Sequence, residues 1–538
     1  MWCVGARPVC TQCMRSARQG DNCEYGDSGR THIQVLEDNI ARLEERIREL
    51  EEPDDENAVR LHLPYTVSVA SQDPSTASSL IRSSSSTSPS HQEPPSDVVQ
   101  RLLQTFLPYS MDFGFFLNVP RFQISVLLPL PSGHPSRPCP GLLSTVYLLG
   151  VHLSGDPNNE EGVYLSRALL DAANILSSCH PHRIMHAIQA EILLAMYFFR
   201  TRRMLEGKYH MSASVSLTLG SGLNKIRSGG GGSNAASPLH QIDAIKPLLA
   251  PPTDQIEEGE RINAFWMAFT LSNCWGVAVG SLSSMVFENN GSTVDVPWPL
   301  DMADYERDLM PVNYRSIMTV QNFLRQVPSS TSVKEYSAMA MFAKASVLLD
   351  RSANLAALYS SDMAADDASR FGAAFSSLDN LIDTFQGSLD LIPLDQRNPS
   401  STSSFGTILV THNIAYLSTI QLHSIFISTR SHSRQKALNA ARACVILLRQ
   451  VDMNIVAHVN PILGSCWTSV CQILIDEIQS MRNARNHRRD LGDTSQGMSE
   501  EEMVGMLEKM FATMAVFSIN SPLIGYQLTK VREVFQAI

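Results

Sequence analysis

Basic residues are the minority here: Lys and Arg number 42 against 53 Asp and Glu, a formal net charge of -11 over 538 residues. That balance excludes a protein that is basic throughout, so any nucleic-acid contact has to come from a local patch. Charge of either sign is sparse at 18%, while hydrophobic residues reach 44%, so most of the chain is expected to be globular with a sizeable core. Cysteine is nearly missing from the body. Four of the ten fall in the first 23 residues and the other six are scattered singly. Scattered cysteines imply a reducing compartment rather than a disulfide framework. Met1 to Val9 has no apolar run behind a basic end, so nothing at the start reads as a secretory signal.

Long uncharged runs are also scarce. Ala264 to Phe287 is one, at 24 residues long enough to span a bilayer. It carries Thr270, Ser272, Asn273, Ser281, Ser283 and Ser284, no basic cluster flanks it, and no second such segment follows. The expectation is a buried core helix and no membrane.

Composition divides the chain into four. Residues 1–30 are rich in Cys, Gly and Arg, 31–52 carry heptads, 53–96 form a linker, and 97–538 are the bulk. Ser71 to Ser96 holds 17 Ser, Thr or Pro among 26 residues, too little apolar surface to offset its ordering entropy, so disorder is expected there. The bulk shows helical periods at Ile184–Phe199, Tyr209–Leu223, Arg261–Val279, Tyr336–Tyr359, Ala373–Phe385, Ile408–Ser428, Gln435–Val451, Ile462–Met481 and Glu500–Phe517. Loops are expected at Gly229–Gly232, Pro251-Pro252 and Asn398–Ser401. No internal repeat is found. The fold class is mainly α: a large all-α domain with too many helices for a four-helix bundle, preceded by a small metal module and a short coiled coil.

The N-terminal cysteines are spaced Cys3-x6-Cys10-x2-Cys13-x9-Cys23. The two-residue gap lets Cys10 and Cys13 reach one ion from a tight turn, with Cys3 and Cys23 for the remaining corners. Soft thiolates select zinc, and so small a segment has no core to fold around otherwise. The heptad segment places Ile33, Ile40 and Ile47 at a and Leu36, Leu43 and Leu50 at d, the pairing that favours a parallel two-stranded coiled coil. Arg46 at g would meet Glu51 at e of the partner helix.

These strings resemble a known family. Cys3 through Tyr25, with Arg7, Arg15 and Arg18 between the cysteines, resembles the back half of the binuclear zinc cluster of fungal transcription factors. On that resemblance Cys3, Cys10, Cys13 and Cys23 take the third to sixth cysteine places. The first two cysteines, and the basic stretch between the second and third, would fall before Met1, and the last gap is one residue longer than usual. The expectation is a chain that starts at an internal methionine, ahead of a member that has lost its DNA-reading half. Residues 1–30 hold four Arg, no Lys, two Asp and one Glu, a poor phosphate-binding patch. Further on, Gly207-Lys-Tyr209 to Asn224 is similar to the family's "YxxxGxAxRxAxxLGLH" helix, and Glu260-Arg261 to Phe269 to its "ExRRRxFW" helix. Thr293 to Pro299 is similar to the extended segment that often follows. Phe265, Trp266 and Phe269 fall on one helical face and read as core anchors independently of the resemblance.

The resemblance implies a zinc-cluster regulator of RNA polymerase II genes in the nucleus. Its residues 31–52 would form a homodimer or heterodimer, and its partners would be DNA, bound weakly by this chain, and the transcription machinery. Arg7, Arg15 and Arg18 are the DNA-contact candidates. The alternatives are a dimerisation partner that does not read DNA and, remotely, a helical enzyme. Chemistry for the last is thin. His182 and His186 have an i,i+4 spacing but no HExxH frame, so a capping or surface histidine group is expected, with Pro181 in a helix first turn. Asp366-Asp367 reads as a solvated turn, and Gly220-x-Gly222 lacks the third glycine of a dinucleotide loop. Arg482 to Arg489 is too sparsely basic for a strong import signal.

Overall fold

The computed structural model describes residues 40–41, 44, 93–155, 160–229, 249–281, 293–328, 337–389, 399–451, 456–487 and 498–538. The chain divides into a short unit, residues 1–90, and a compact unit, residues 91–538. In the short unit Ile40, Ala41 and Glu44 are helical and exposed. Of the zinc, DNA-contact and dimerisation candidates, only Ile40 can therefore be placed. It shows 54% of its surface. Cys3, Arg7, Cys10, Cys13, Arg15, Arg18, Cys23, Ile33, Leu36, Leu43, Ile47 and Leu50 lie outside the described residues.

The second unit holds sixteen α-helices among its described residues. They are α1 Ser96–Phe106, α2 Val119–Val126, α3 Pro140–Ser154, α4 Glu161–Ala173, α5 Arg183–Arg200, α6 Met204–Gly220, α7 Gln255–Ala278 and α8 Met302–Glu306. There follow α9 Thr319–Leu324, α10 Ala338–Ala357, α11 Ala365–Ser388, α12 Pro399–His423, α13 Ser431–Gln450, α14 Ile462–His487, α15 Glu500–Ser518 and α16 Pro522–Gln536. Consecutive helices α3–α4, α5–α6 and α15–α16 pack on one another, and short turns join α5 to α6 and α15 to α16. Helix α7 runs through the middle, against α5 and α6 on one side and α10 on the other, and α10 continues the packing onto α12. One hydrophobic core extends from Val99 to Val531. The only β pairing among the described residues is an isolated bridge between Ser228 and Ser316.

Local chemistry sets the boundaries. Asp254, Ser337 and Ser499 stand at the N-caps of α7, α10 and α15, their side chains accepting from Glu257 N (2.8 Å), Ala340 N (3.0 Å) and Glu502 N (3.1 Å). Gly155 stops α3 at a φ of 63°, a left-handed backbone that favours glycine. Four small buried residues of α10, Ala340, Ala343, Ala345 and Ser346, permit its close approach to neighbours.

Several expectations are revised. Seven helices carry no mark in the sequence reading: α1–α4, α8, α9 and α16. Pro399 to Ser401, expected as loop, open α12, where a proline costs nothing because its missing N–H has no helical partner. Asp366 and Asp367 are solvated as expected, but in the first turn of α11, where the helix field favours acids. The end of the expected linker is ordered: Glu93 bonds Arg137 (2.6 and 2.9 Å) and the Tyr147 hydroxyl (2.7 Å). Ala264 to Gly276 lies inside α7 as core, and among the described residues no helix is long and apolar enough to cross a membrane.

Candidate functional site

The three segments that carried the resemblance converge. On α7 the Trp266 ring stacks on Trp298, centroids 4.4 Å apart, and its Nε1–H donates to the Pro297 carbonyl at 2.7 Å. Phe265 and Phe269 flank Trp266, and all three are buried as expected. The extended segment 293–300 has no sheet to satisfy its backbone, so other groups must. Asp295 N donates to Asn224 O (2.9 Å) beyond the end of α6, and Thr319 N and Oγ1 donate to Val294 O (2.8 Å) and Val296 O (2.7 Å). Ser337 Oγ donates to Pro299 O (2.5 Å), and Tyr305 OH accepts from Leu300 N (3.1 Å). Gly259 faces the Tyr305 ring so closely that a β-carbon would sit 2.5 Å from it, which accounts for the glycine in mid-helix.

A groove of about 460 Å³ opens beside this segment. Trp298, Phe323 and Leu381 supply apolar walls, and Arg315 and Lys344 bring positive charge. Lys344 is buried, its Nζ 5.0 Å from the Trp298 ring centroid and 5.8 Å from that of Phe323.

On the far side of α5 a buried polar network ties separate segments together. Arg200, at 1% exposure, ends α5, where a cation is favoured by the helix field. Its Nε donates to His152 Nε2 (3.1 Å), and its Nη2 lies against the Asn520 carbonyl (2.6 Å) and His458 Nδ1 (3.2 Å). His152 Nδ1 faces Glu161 (3.0 Å), which also accepts from the Tyr197 hydroxyl (2.7 Å). Burial lowers Arg200 to about 10, partly offset by Glu161, and burial with the Arg200 charge lowers His458 to about 4.

A carboxyl at the end of the 3-10 turn Leu107–Phe113 offers a pH test. Asp112 abuts Gly406 of α12, where a β-carbon would collide with Oδ1, and desolvation raises it from 3.8 to about 7. The folded state therefore holds a proton that the unfolded state has released between about pH 4 and 7. Asp112's contribution is fully present below pH 4 and is lost as pH rises through 7. In Asp112→Asn the stability difference from the parent should grow in the variant's favour across that window, reaching about 2 kcal/mol at pH 8 once partial exposure is discounted. Urea midpoints at pH 5 and pH 8 measure it, and an unchanged difference between them would refute the assignment. Glu260, also raised to about 7 by burial, remains in both proteins.

The described residues present no reaction centre in the groove or the network. Cysteines 139, 466 and 471 are pushed up to about 12 by burial, the behaviour of small core hydrophobes. Many arginines face acids: Arg121 with Asp254, Arg227 with Glu258, Arg434 with Glu477, and both Arg482 and Arg485 with Glu500. The arrangement is that of an all-α regulatory scaffold. Residues 105–439 match the fungal specific transcription factor domain, and the chain belongs to that family, a family of transcription regulators and not of enzymes. No curated protein matches the chain, and no solved structure does.

Proposed function

We propose that the protein is a zinc-cluster regulator of RNA polymerase II genes, acting in the nucleus as a dimer. The observation that supports this most is order along the chain: a four-cysteine segment, an Ile/Leu heptad segment and a linker stand before the matched domain. Cys3, Cys10, Cys13 and Cys23 hold one zinc ion, because four thiolates close one tetrahedral site. Ile33, Leu36, Ile40, Leu43, Ile47 and Leu50 form the dimer seam. Replacing Ile40 and Leu43 by Asp puts four like charges in that seam, and sedimentation should find the variant monomeric. A variant that stays dimeric places the contact elsewhere.

Arg7, Arg15 and Arg18 contact phosphate, and Asp21, Glu24 and Asp27 oppose them. Phosphate contacts position a protein and base contacts specify sequence, and a basic recognition helix is missing from residues 1–30. The chain should bind duplex DNA weakly and without sequence preference. Log affinity against log salt should have a slope corresponding to roughly two to four phosphates per chain. Adding the family's first half-cluster upstream should steepen the slope and confer sequence preference. The assay is a salt titration on promoter and scrambled fragments; tight, selective binding by the 538-residue chain would show that the reading element lies elsewhere. The second reading, a partner that does not read DNA, is favoured by the near-neutral charge of residues 1–30 and by failure of the extension to restore binding.

A further inference from the structure

The expected capping or surface histidine group holds for His182, which stands exposed at the N-cap of α5, and not for the other two. His180 and His186 are buried, and only His182 of the three is exposed. Pro181 lies one residue before the N-cap of α5, not in its first turn, and the turn folds His180 back under the helix. Opposite them stands Cys139, the N-cap of α3, buried and 47 residues from His186 in sequence. One ligand atom from each of Cys139, His180 and His186 lies within 4.8 Å of the others. The ring of His182 is 5.9 Å from that of His180 and 5.8 Å from that of His186, centroid to centroid.

We propose that Cys139, His180 and His186 form a second metal site, independent of the N-terminal cysteines, for a zinc-type divalent cation that clamps the 131–139 loop to the turn before α5. His182 or water would supply the fourth ligand. One thiolate with imidazoles is a donor set that suits zinc. Around a tetrahedral zinc such atoms stand about 3.3–3.8 Å apart, so closure asks for a contraction of about 1 Å. The outer shell is in place for one ligand. His180 Nε2 donates to the Arg137 carbonyl at 2.7 Å, leaving a lone pair at Nδ1. That lone pair now accepts the His182 N–H at 3.1 Å, and His186 Nδ1 accepts the Cys139 N–H at 3.2 Å. Both bonds would give way to the metal where it takes those nitrogens. The clamp has mechanical purpose: these two loops meet with hydrogen bonds but no regular secondary structure between them.

Ligation takes the thiolate, so one proton leaves when the cation binds: M²⁺ plus Cys–SH gives (M–S–Cys)⁺ plus H⁺. Apparent affinity should rise about tenfold per pH unit between 6 and 8. The test uses the full chain with Cys3, Cys10, Cys13 and Cys23 replaced by Ser, so that failure of the N-terminal zinc reading does not touch it. Co²⁺ should bind at one ion per chain with a thiolate-to-cobalt charge-transfer band and tetrahedral visible absorption, and excess zinc should raise the thermal midpoint by several degrees. Cys139→Ala should abolish the band, His186→Gln should weaken binding at least tenfold, and exposed Cys179→Ser should change neither. Should a variant fail to fold, mass mapping of alkylation in the four-serine chain replaces it, with zinc protecting Cys139 selectively. Absence of the thiolate band, its survival in Cys139→Ala, or alkylation of Cys139 indifferent to zinc would show the triad to be a hydrogen-bonded clasp without metal.

Discussion

Replacing Arg200 by Met should destabilise the protein by about 3–5 kcal/mol, one of the two largest losses expected from any single change in the domain. The methionine fills the aliphatic part of the space, so the cavity is small. What is lost is polar: His458 Nδ1 loses a donor in a buried setting, and His152 Nε2 and the Asn520 carbonyl lose theirs in part-buried ones. An unpaired buried polar atom costs about 1–3 kcal/mol; His458 incurs that in full, and the two part-buried acceptors add smaller losses. The loss is also topological. His152 belongs to α3, Asn520 to the turn between α15 and α16, and His458 to the strand-like stretch before α14, so one side chain holds the C-terminal helices to the first half of the core. Arg200→Lys separates charge from geometry, since an ammonium cannot reproduce the planar fork and should recover less than half the loss. Urea unfolding measures both. A loss under 1 kcal/mol for the methionine variant would mean that desolvation of the guanidinium already cancels its hydrogen bonds.

Nothing about Arg200 is visible in the sequence, where an arginine ending an apolar helix reads as a solvated C-terminal charge. Helices α13 and α15 are legible because one face is wet: exposed residues alternate with buried ones at three- and four-residue spacing. Helices α5 and α7 are buried nearly all round and are legible instead from the length of their apolar, aromatic-rich runs. Helix α3 is buried all round as well, at Leu142, Leu143, Val146, Tyr147, Leu148 and Leu149, so no polar stripe marks a period, and it is shorter than α5 and α7. Gly150 in its middle faces the Leu102 backbone, a contact that sequence spacing does not foretell. The Cys139–His186 pairing was hidden by distance along the chain, though the histidine half of it was in plain view. Phe265, Trp266 and Phe269 were legible because aromatic residues at that spacing have few places to go but inward.

The second large effect is expected at Trp266. Trp266→Ala should cost about 3–5 kcal/mol, through lost burial and the cavity left behind. It should also loosen a specific element. The ring's stacking on Trp298 and its Nε1–H on Pro297 O attach the extended segment 293–300 to α7. The remaining attachments come from the loop after α6, α8, α9 and the cap of α10, none of which replaces an aromatic anchor. Trp298 is also a wall of the groove that holds Lys344, so its displacement should open that groove as the segment frays. Trp266→Phe divides the two contributions. It keeps a stacking ring but leaves the Pro297 carbonyl without its donor, a loss of about 1–2 kcal/mol. Hydrogen exchange over 293–300 should then rise strongly in the alanine variant and slightly in the phenylalanine variant, with α14 to α16 unaffected in both. Equal protection of 293–300 in parent and alanine variant would show that the segment is held by its neighbours' hydrogen bonds alone, and that the tryptophan pair contributes burial without holding the segment in place.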